Sequence, residues 1–131
     1  MRDNEERGLA ALSEAQTEIM NLVWEQKEAT LVSIYEALSE RRALARNTVQ
    51  TQLTRLVEKG WLTYRSEGKA FYYRAAVGQE DARKGALRRV LETVFEGSTE
   101  GLMLTLLNEK KLSKEVADRM RQLIEEAESD K

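Results

Sequence analysis

Apolar residues recur at helical spacing in successive runs through the first 60 residues of the chain. In the first run, Ser13 and Gln16 form a capping-box pattern that predicts the start of a helix. Trp24 closes its apolar stripe of Ala15, Ile19, Leu22 and Val23. A second helix is predicted from Leu31 to about Ser39, capped by Thr30, with an apolar face of Leu31, Ile34, Tyr35 and Leu38.

A third helical run, from about Arg46 to Lys59, is followed by a change of period. Its buried face is predicted to contain Val49, Leu53, Leu56 and Val57. Gly60 is the expected stop, because glycine readily adopts the left-handed conformation common at helix ends. Residues 61–75 then alternate in character, are rich in aromatic side chains, and contain Gly68 for a tight turn between two strands. Three helices followed by a β-hairpin predict a winged helix-turn-helix domain.

The remainder of the chain, residues 77–131, is predicted to be a helical dimerisation region behind a winged-helix domain of residues 1–76. Helices are expected from about Gln79 to Phe95, after a cap at Ser98, and after a cap at Ser113. Because a region of this size rarely completes a hydrophobic core alone, a second copy of the chain is expected to cover the apolar faces of these helices. The alternative is that these faces fold back on the first domain. The predicted dimerisation residues are Leu87, Val90, Leu91, Val94, Leu102, Leu106, Val116, Met120, Leu123 and Ile124.

Charge is unevenly distributed, although the chain is nearly neutral with 23 acidic and 21 basic residues. Residues 1–40 hold 3 basic and 9 acidic side chains, whereas residues 41–74 hold 8 basic and 2 acidic ones. This basic stretch coincides with the third helix and the hairpin. Lysine and arginine gain affinity for nucleic acid by displacing counterions from phosphates, so the stretch favours a polyanion-binding surface.

The polar face of the third helix carries side chains suited to the edges of base pairs. Arginine can bond guanine bidentately, asparagine and glutamine can bond adenine, and a threonine methyl can rest on that of thymine. Any exposed helix face is polar, but this one has no acidic residue before Glu58. The predicted DNA-binding residues are Arg46, Asn47, Thr48, Gln50, Thr51, Thr54 and Arg55 on the helix, and Arg65, Lys69 and Arg74 on the hairpin as phosphate contacts.

Aromatic residues of the hairpin region admit two interpretations. Interleaved with basic residues, they suit stacking on single-stranded bases. The favoured interpretation is that most of them pack the sheet against the first and third helices. Tyr64 and Tyr73 are expected to be the least core-like of the set, which comprises Trp61, Tyr64, Phe71, Tyr72 and Tyr73.

The absence of histidine and cysteine removes the usual catalytic base, the thiol nucleophile, ordinary zinc sites and disulfides. Glu14 and Glu18 share a helical face, but no phosphate loop or metal-ligand spacing accompanies them, so an enzyme is the least favoured class and no metal or cofactor is predicted. No apolar run approaches the roughly 18 residues that a membrane span needs, and the charged start MRDNEERGLA lacks the apolar core of a signal peptide. A cytoplasmic location without a membrane partner is expected.

Three stretches resemble the penicillinase repressor family of winged-helix transcriptional regulators, the BlaI/MecI/CopY type. They are LSEAQTEIMNLVW at 12–24, NTVQTQLTRLVEKGWL at 47–62, which is the most specific, and GKAFYYRA at 68–75. Residues 76–125 resemble the family's dimerisation region in pattern. The resemblance implies a cytoplasmic homodimer that binds a palindromic operator in double-stranded DNA and represses transcription, with β-lactam-resistance or related genes as candidates for control.

Several residue roles follow from this resemblance alone. The family's DNA-contacting helix matches Asn47, Thr48, Gln50, Thr51 and Arg55, and its wing matches residues 66–69. Members that respond to β-lactams are inactivated by a regulatory protease, often at an Asn-Phe bond; the matching position here reads Thr105-Leu106 and departs from that pattern. The copper-responsive branch carries a C-terminal cysteine cluster, which this chain lacks.

The leading hypothesis is therefore a sequence-specific repressor whose two recognition helices lie about one DNA turn, roughly 34 Å, apart. The rival is a winged-helix protein-interaction module in which the third helix or the wing docks a partner protein. Such modules usually lose the basic bias seen here in helix and wing.

Overall fold

The computed structural model describes residues 9–129. Its elements, in chain order, are α1 (Glu14–Gln26), α2 (Leu31–Ser39), α3 (Arg46–Glu58), β1 (Leu62–Glu67), β2 (Ala70–Ala75), α4 (Gln79–Thr93), α5 (Thr99–Glu109) and α6 (Lys114–Ser129). Residues 1–8, which carry most of the charged start weighed against a signal peptide, lie outside the described residues, as do residues 130–131. The chain divides into two compact units between Leu87 and Arg88, within α4, whereas the domain boundary after residue 76 stays a prediction.

Reciprocal capping boxes start both α1 and α2. The Gln16 backbone N–H donates to Ser13 Oγ at 3.1 Å, and the Ser13 N–H donates to Gln16 Oε1 at 3.0 Å. Thr30 and Ser33 form the same pair of bonds at the start of α2. Each box satisfies two backbone N–H groups that a helix start otherwise leaves without a partner. The predicted starts of both helices are confirmed.

Gly60 ends α3 as predicted. Its φ is 89°, its N–H donates to the Val57 carbonyl at 3.0 Å, and the Trp61 N–H donates to the Leu56 carbonyl at 2.9 Å. These two bonds make a Schellman motif, which satisfies terminal carbonyls and requires a left-handed residue. The motif sets the direction in which the chain leaves α3 and enters β1.

The core of the first unit lies between α1, α2, α3 and the hairpin. Leu31, Tyr35 and Val57, which were predicted to be buried, are only partly so and pack at its margin. Trp24 is likewise partly buried, and its indole N–H donates to the Val77 carbonyl at 2.9 Å. The buried apolar residues are Ile19, Met20, Leu22, Val23, Ala29, Ile34, Leu38, Val49, Leu53, Leu56, Trp61, Leu62, Tyr73 and Val77.

Strands β1 and β2 form an antiparallel hairpin in which Glu67 pairs with Ala70 across a two-residue turn. Gly68 opens this turn with a φ of 59°, as the sequence predicts. A bridge between Ala29 and Tyr73 attaches the hairpin to the α1–α2 connection, with bonds of 2.7 and 3.0 Å. Strand β2 is thereby hydrogen-bonded to β1 along one edge and to Ala29 along the other.

The interpretation that most hairpin aromatics are core residues is wrong. Trp61 and Tyr73 are buried, whereas Tyr64 and Phe71 are 52% and 44% exposed and Tyr72 is half-buried. Tyr73 was expected to be among the least core-like residues, and it is buried because the Ala29 bridge places it in the middle of the sheet. Tyr64 is exposed as expected.

The second unit consists of the end of α4 with α5 and α6. Ser98 and Ser113 cap α5 and α6, each accepting a bond from the backbone N–H three residues on, at 2.8 and 3.1 Å. None of the described residues from Arg88 onward is buried. The helices are therefore present where predicted, with their apolar faces open.

Candidate nucleic-acid interface

The face of α3 opposite the core presents the predicted DNA-binding residues. Arg46, Asn47, Thr48, Thr51, Thr54 and Arg55 are all exposed, and only Gln50 is half-buried. The opposite face is fixed in the core by Val49, Leu53 and Leu56, each at most 1% exposed. Burial of one stripe of a helix thus orients the polar stripe outward, although DNA contact by these residues stays a prediction.

The amino-terminal end of α3 is electropositive. Ala45 occupies the N-cap position and makes no side-chain cap, so the first turn lacks the capping bond that Ser13 and Thr30 provide at α1 and α2. The Arg46 guanidinium lies 5.6 Å from the centre of the Tyr35 ring, a cation–π contact that holds it beside this end. No acidic residue occupies the first turn. This end of the helix suits an anion such as a DNA phosphate.

Two polar side chains in the middle of α3 are partly held by bonds within the protein. The Gln50 amide Nε2 donates to Tyr73 Oη at 3.5 Å and to Thr54 Oγ1 at 3.4 Å. The Thr51 hydroxyl donates to the Asn47 backbone carbonyl at 2.9 Å, which fixes its rotamer and turns its methyl away from that carbonyl. These contacts order the side chains before any ligand arrives, which lowers the entropy cost of binding.

A polar network centred on Gln16 ties α3 to the start of α1. Gln16 is 4% exposed, its Nε2 donates to Gln52 Oε1 at 2.9 Å, and its Oε1 accepts from Lys59 Nζ at 2.9 Å. Lys59 also reaches the Ala11 carbonyl at 3.4 Å. The network crosses from α1 to both the middle and the end of α3, so it fixes how α3 is presented. The sequence assigned Gln16 only its capping role.

The three basic wing residues occupy different places. Arg65 and Arg74 lie on the face of the hairpin opposite Leu62 and Tyr73, because neighbouring residues of a strand point to opposite sides. Lys69 is at the turn and is exposed. Only Lys69 is therefore placed at the tip of the wing, where it lines a cleft together with Arg46 and Gln50 of α3.

Arg65 is engaged within the protein. Its guanidinium donates to both carboxylate oxygens of Glu28, at 3.1 and 3.2 Å, pairs with Glu67, and lies 4.6 Å from the centre of the Tyr72 ring. These hydrogen bonds hold the pKa of Glu28 below its usual value and raise that of Arg65. Glu28 was not identified from the sequence as a partner of Arg65, because the two residues are distant in sequence. Strand alternation, however, places Arg65 on the face of the hairpin that points away from Leu62, where an acidic partner could have been expected.

The predicted dimerisation residues lie on α4, α5 and α6 and are open or partly open. Val94 is 67% exposed, and Leu123 and Ile124 are 46% and 53% exposed. On α6, Val116, Met120 and Leu123 share one face at helical spacing. The partly buried members are Leu91, Leu102 and Met120, and the remaining exposed members are Leu87, Val90, Leu106 and Val116.

Among residues 9–129, no group of three or more acidic side chains is close enough to hold a metal ion. Within that range, too, no helix has the length and apolar character needed to cross a membrane.

Three helices, a two-stranded wing and an outward polar face on α3 define a winged helix-turn-helix protein. The sequence profile of the penicillinase repressor family matches residues 12–126, and the chain belongs to this family. Both the fold and the family predicted from the sequence are thus confirmed.

Individual relatives agree with this assignment. The chain is 26% identical over 113 residues to the methicillin resistance regulatory protein MecI of Mammaliicoccus sciuri, covering 86% of this chain and 92% of MecI. It is 27% identical over 115 residues to the penicillinase repressor of Bacillus licheniformis, covering 88% and 90%. The solution structure of the DNA-binding domain of the repressor BlaI superposes with a TM-score of 0.51 at 29% identity, covering 56% of this chain and 89% of that domain.

Proposed function

We propose that this chain is a cytoplasmic, homodimeric transcriptional repressor that binds operator DNA through α3. The observation that carries the proposal is the outward face of α3, which is exposed, free of acidic residues until Glu58 and rich in base-reading side chains. Similarity to proteins named as repressors supports repression as the outcome of binding. No catalytic role is assigned to any residue.

In this proposal, α3 enters the major groove with its amino-terminal end leading. Asn47, Gln50 and Arg55 are the side chains best suited to bidentate bonds with bases, and Thr51 suits a thymine methyl. Arg46 and Lys69 lie where they suit phosphates, while Thr48 and Thr54 flank the contact. Arg74 keeps its predicted phosphate role, and Arg65 can take part only by sharing its guanidinium with Glu28 and Glu67.

The open apolar faces of α4, α5 and α6 support assembly with a second copy. Exposed leucine, isoleucine and valine side chains at this density are typical of a surface that is covered in the working protein. A two-fold symmetric pair would present two α3 helices to successive turns of DNA, roughly 34 Å apart. Replacement of Leu123 by Asp should shift the chain from dimer to monomer in sedimentation equilibrium, with the fold of the first unit unchanged.

A regulatory protease acting in the C-terminal region stays a prediction from the family resemblance. The matching bond, Thr105-Leu106, lies inside α5. A protease needs an extended substrate, so cleavage here would require α5 to unwind locally. Incubation with a candidate protease, followed by mass determination of the fragments, tests the position directly.

Selection of bound duplexes from a random-sequence pool tests the proposed function. A two-fold symmetric consensus is expected, together with binding that weakens by about three to five decades between roughly 50 and 200 mM salt if some 6–10 phosphates are contacted. A chain with no salt-dependent retention of any duplex would contradict the proposal and favour a protein-interaction module instead.

A further inference from the structure

A cleft of about 440 Å³ opens between the wing and the amino-terminal ends of α2 and α3. Val32, Phe71 and Tyr73 form apolar walls, and Arg46, Gln50 and Lys69 supply the polar part of the lining. Among the described residues, no aspartate or glutamate lines the cleft. It is therefore a partly apolar space bordered by two cations, and it adjoins the face of α3 proposed to read bases.

Several apolar side chains in and beside the cleft wall are exposed to solvent. Phe71 is 44% exposed, Val32 is 45% exposed, and the Phe71 ring lies 5.0 Å from that of Tyr64, which is 52% exposed. Phe71 shares a hairpin face with Tyr73, so it points to the same side as the helices, away from Arg65. Apolar area left in water on this side costs free energy that a ligand covering it would recover.

We propose that this cleft seats the sugar–phosphate backbone of one DNA strand, with a deoxyribose packed against Phe71 and the adjoining phosphates beside Arg46 and Lys69. The inference rests on the proposed function, since it assumes that α3 lies in the groove. A DNA strand alternates anionic phosphates with weakly polar sugar faces, and the cleft offers cations at its border and an apolar wall between them. A small organic anion is the competing occupant, and the experiment below separates the two.

The two parts of the cleft should contribute to binding in different ways. A lysine that neutralises a phosphate releases counterions, so its loss lowers the dependence of affinity on salt. Packing of a sugar on an aromatic ring releases no counterion, so its loss lowers affinity equally at every salt concentration. Every nucleotide carries the same sugar, so the Phe71 contribution should also be independent of DNA sequence.

Binding of a labelled random-sequence duplex, measured over a series of salt concentrations, tests these statements. Phe71→Ala is expected to weaken binding about tenfold with an unchanged salt slope, and Phe71→Leu by only about two- to threefold because most apolar area is kept. Lys69→Ala should reduce the slope by about 1. Arg121→Ala, at an exposed position of α6 outside the cleft, is the control and should leave affinity and slope unchanged. Circular dichroism of each variant checks that the hairpin is intact.

A measurement on the unmodified chain guards against variants that fold poorly. In the complex with the same duplex, nuclear Overhauser contacts are expected between Phe71 ring protons and deoxyribose protons. Normal binding by Phe71→Ala, or a complex without these contacts, would overturn the proposal while leaving the proposed function intact. A wild-type chain that binds no duplex would overturn both proposals. Added citrate that shifts the Phe71 ring resonances equally with and without bound duplex would overturn only the backbone seat.

Discussion

Both units of the chain contain amphipathic helices, but the apolar faces are buried in the first unit and exposed in the second. In the unit up to Leu87, helical stripes and a hairpin meet in a core where Leu53 and Leu56 are fully buried. From Arg88 onward, α6 carries an equally regular apolar stripe, yet Leu123 remains 46% exposed. Periodicity thus fixes where a helix forms and which side is apolar, but it does not say what covers that side. The first unit is thus stabilised within one chain, whereas the second would be completed by the partner copy of the proposed dimer.

The largest expected effect contrasts two leucines. Leu53→Ala should lower the free energy of unfolding by about 2–5 kcal/mol, because it leaves a cavity in a close-packed core. Leu123→Ala should cost less than about 1 kcal/mol at low protein concentration, where the proposed dimer dissociates, and more as concentration rises. Urea denaturation at several concentrations measures both. Losses that are equal and independent of concentration would break the contrast between the units.

The next largest expected loss of stability comes from removing the Gln16 network. Gln16→Ala should destabilise the first unit by about 1–3 kcal/mol, since the side chains of Gln52 and Lys59 lose a partner in a partly buried setting. Gln122→Ala, at an exposed position of α6, is the control and should change stability by less than about 0.5 kcal/mol. The same denaturation series serves here. A neutral Gln16→Ala would mean that α3 is held by apolar packing alone.

Two glycines of the first unit provide a smaller and cleaner pair. Gly60→Ala should cost about 1–2 kcal/mol, because φ is 89° there and an added Cβ would also lie 3.3 Å from Leu9 Cδ2. Gly78→Ala meets no atom within 4 Å and has no positive φ, so its cost should not exceed about 0.5 kcal/mol, the small preference for glycine over alanine at a helix start. Thermal unfolding of both variants gives the difference. Equal stabilities would show that the Schellman motif does not hold the end of α3.

The smallest expected effect concerns pH. Hydrogen bonds from Arg65 hold the pKa of Glu28 below its usual value, so the pair contributes stability above the unfolded value of about 4.3 and loses it as pH falls through the folded value. Wild type should therefore lose slightly more stability than Glu28→Gln on acidification through this range. Both side chains are partly exposed, so the difference is small and shrinks in high salt. Thermal unfolding across a pH series measures it, and identical acid sensitivity would contradict the pairing.

Much of the fold was predictable because its signals are local. Ser13, Thr30, Gly60 and Gly68 each act through bonds or backbone angles within a few residues, and each occurs where the sequence predicts it. The burial of Tyr73 was not predictable in this way, because it depends on a bridge to Ala29 that is distant in sequence.

The candidate site shows the same division. The outward face of α3 follows from helical periodicity, whereas the engagement of Arg65 by Glu28 depends on long-range packing. The cleft that Phe71 forms with Arg46 likewise depends on residues of α2, α3 and the hairpin that are distant from one another in sequence. Local patterns therefore predicted the surface, and only the assembled fold revealed which of its cations are already paired.

Parallel selection of duplexes from a random pool by wild type, Arg55→Ala and Arg121→Ala tests base reading by α3 most directly. Arg55 is exposed on α3, whereas Arg121 is an exposed arginine of α6 bonded to Asp118. We expect the wild-type and Arg121→Ala consensus sequences to agree, and Arg55→Ala to lose preference at one position of each half-site with a cost of about 1–3 kcal/mol on the wild-type site. An unchanged consensus for Arg55→Ala with equal loss on all duplexes would reduce Arg55 to a phosphate contact, and a wild-type pool without any consensus would contradict sequence reading by α3.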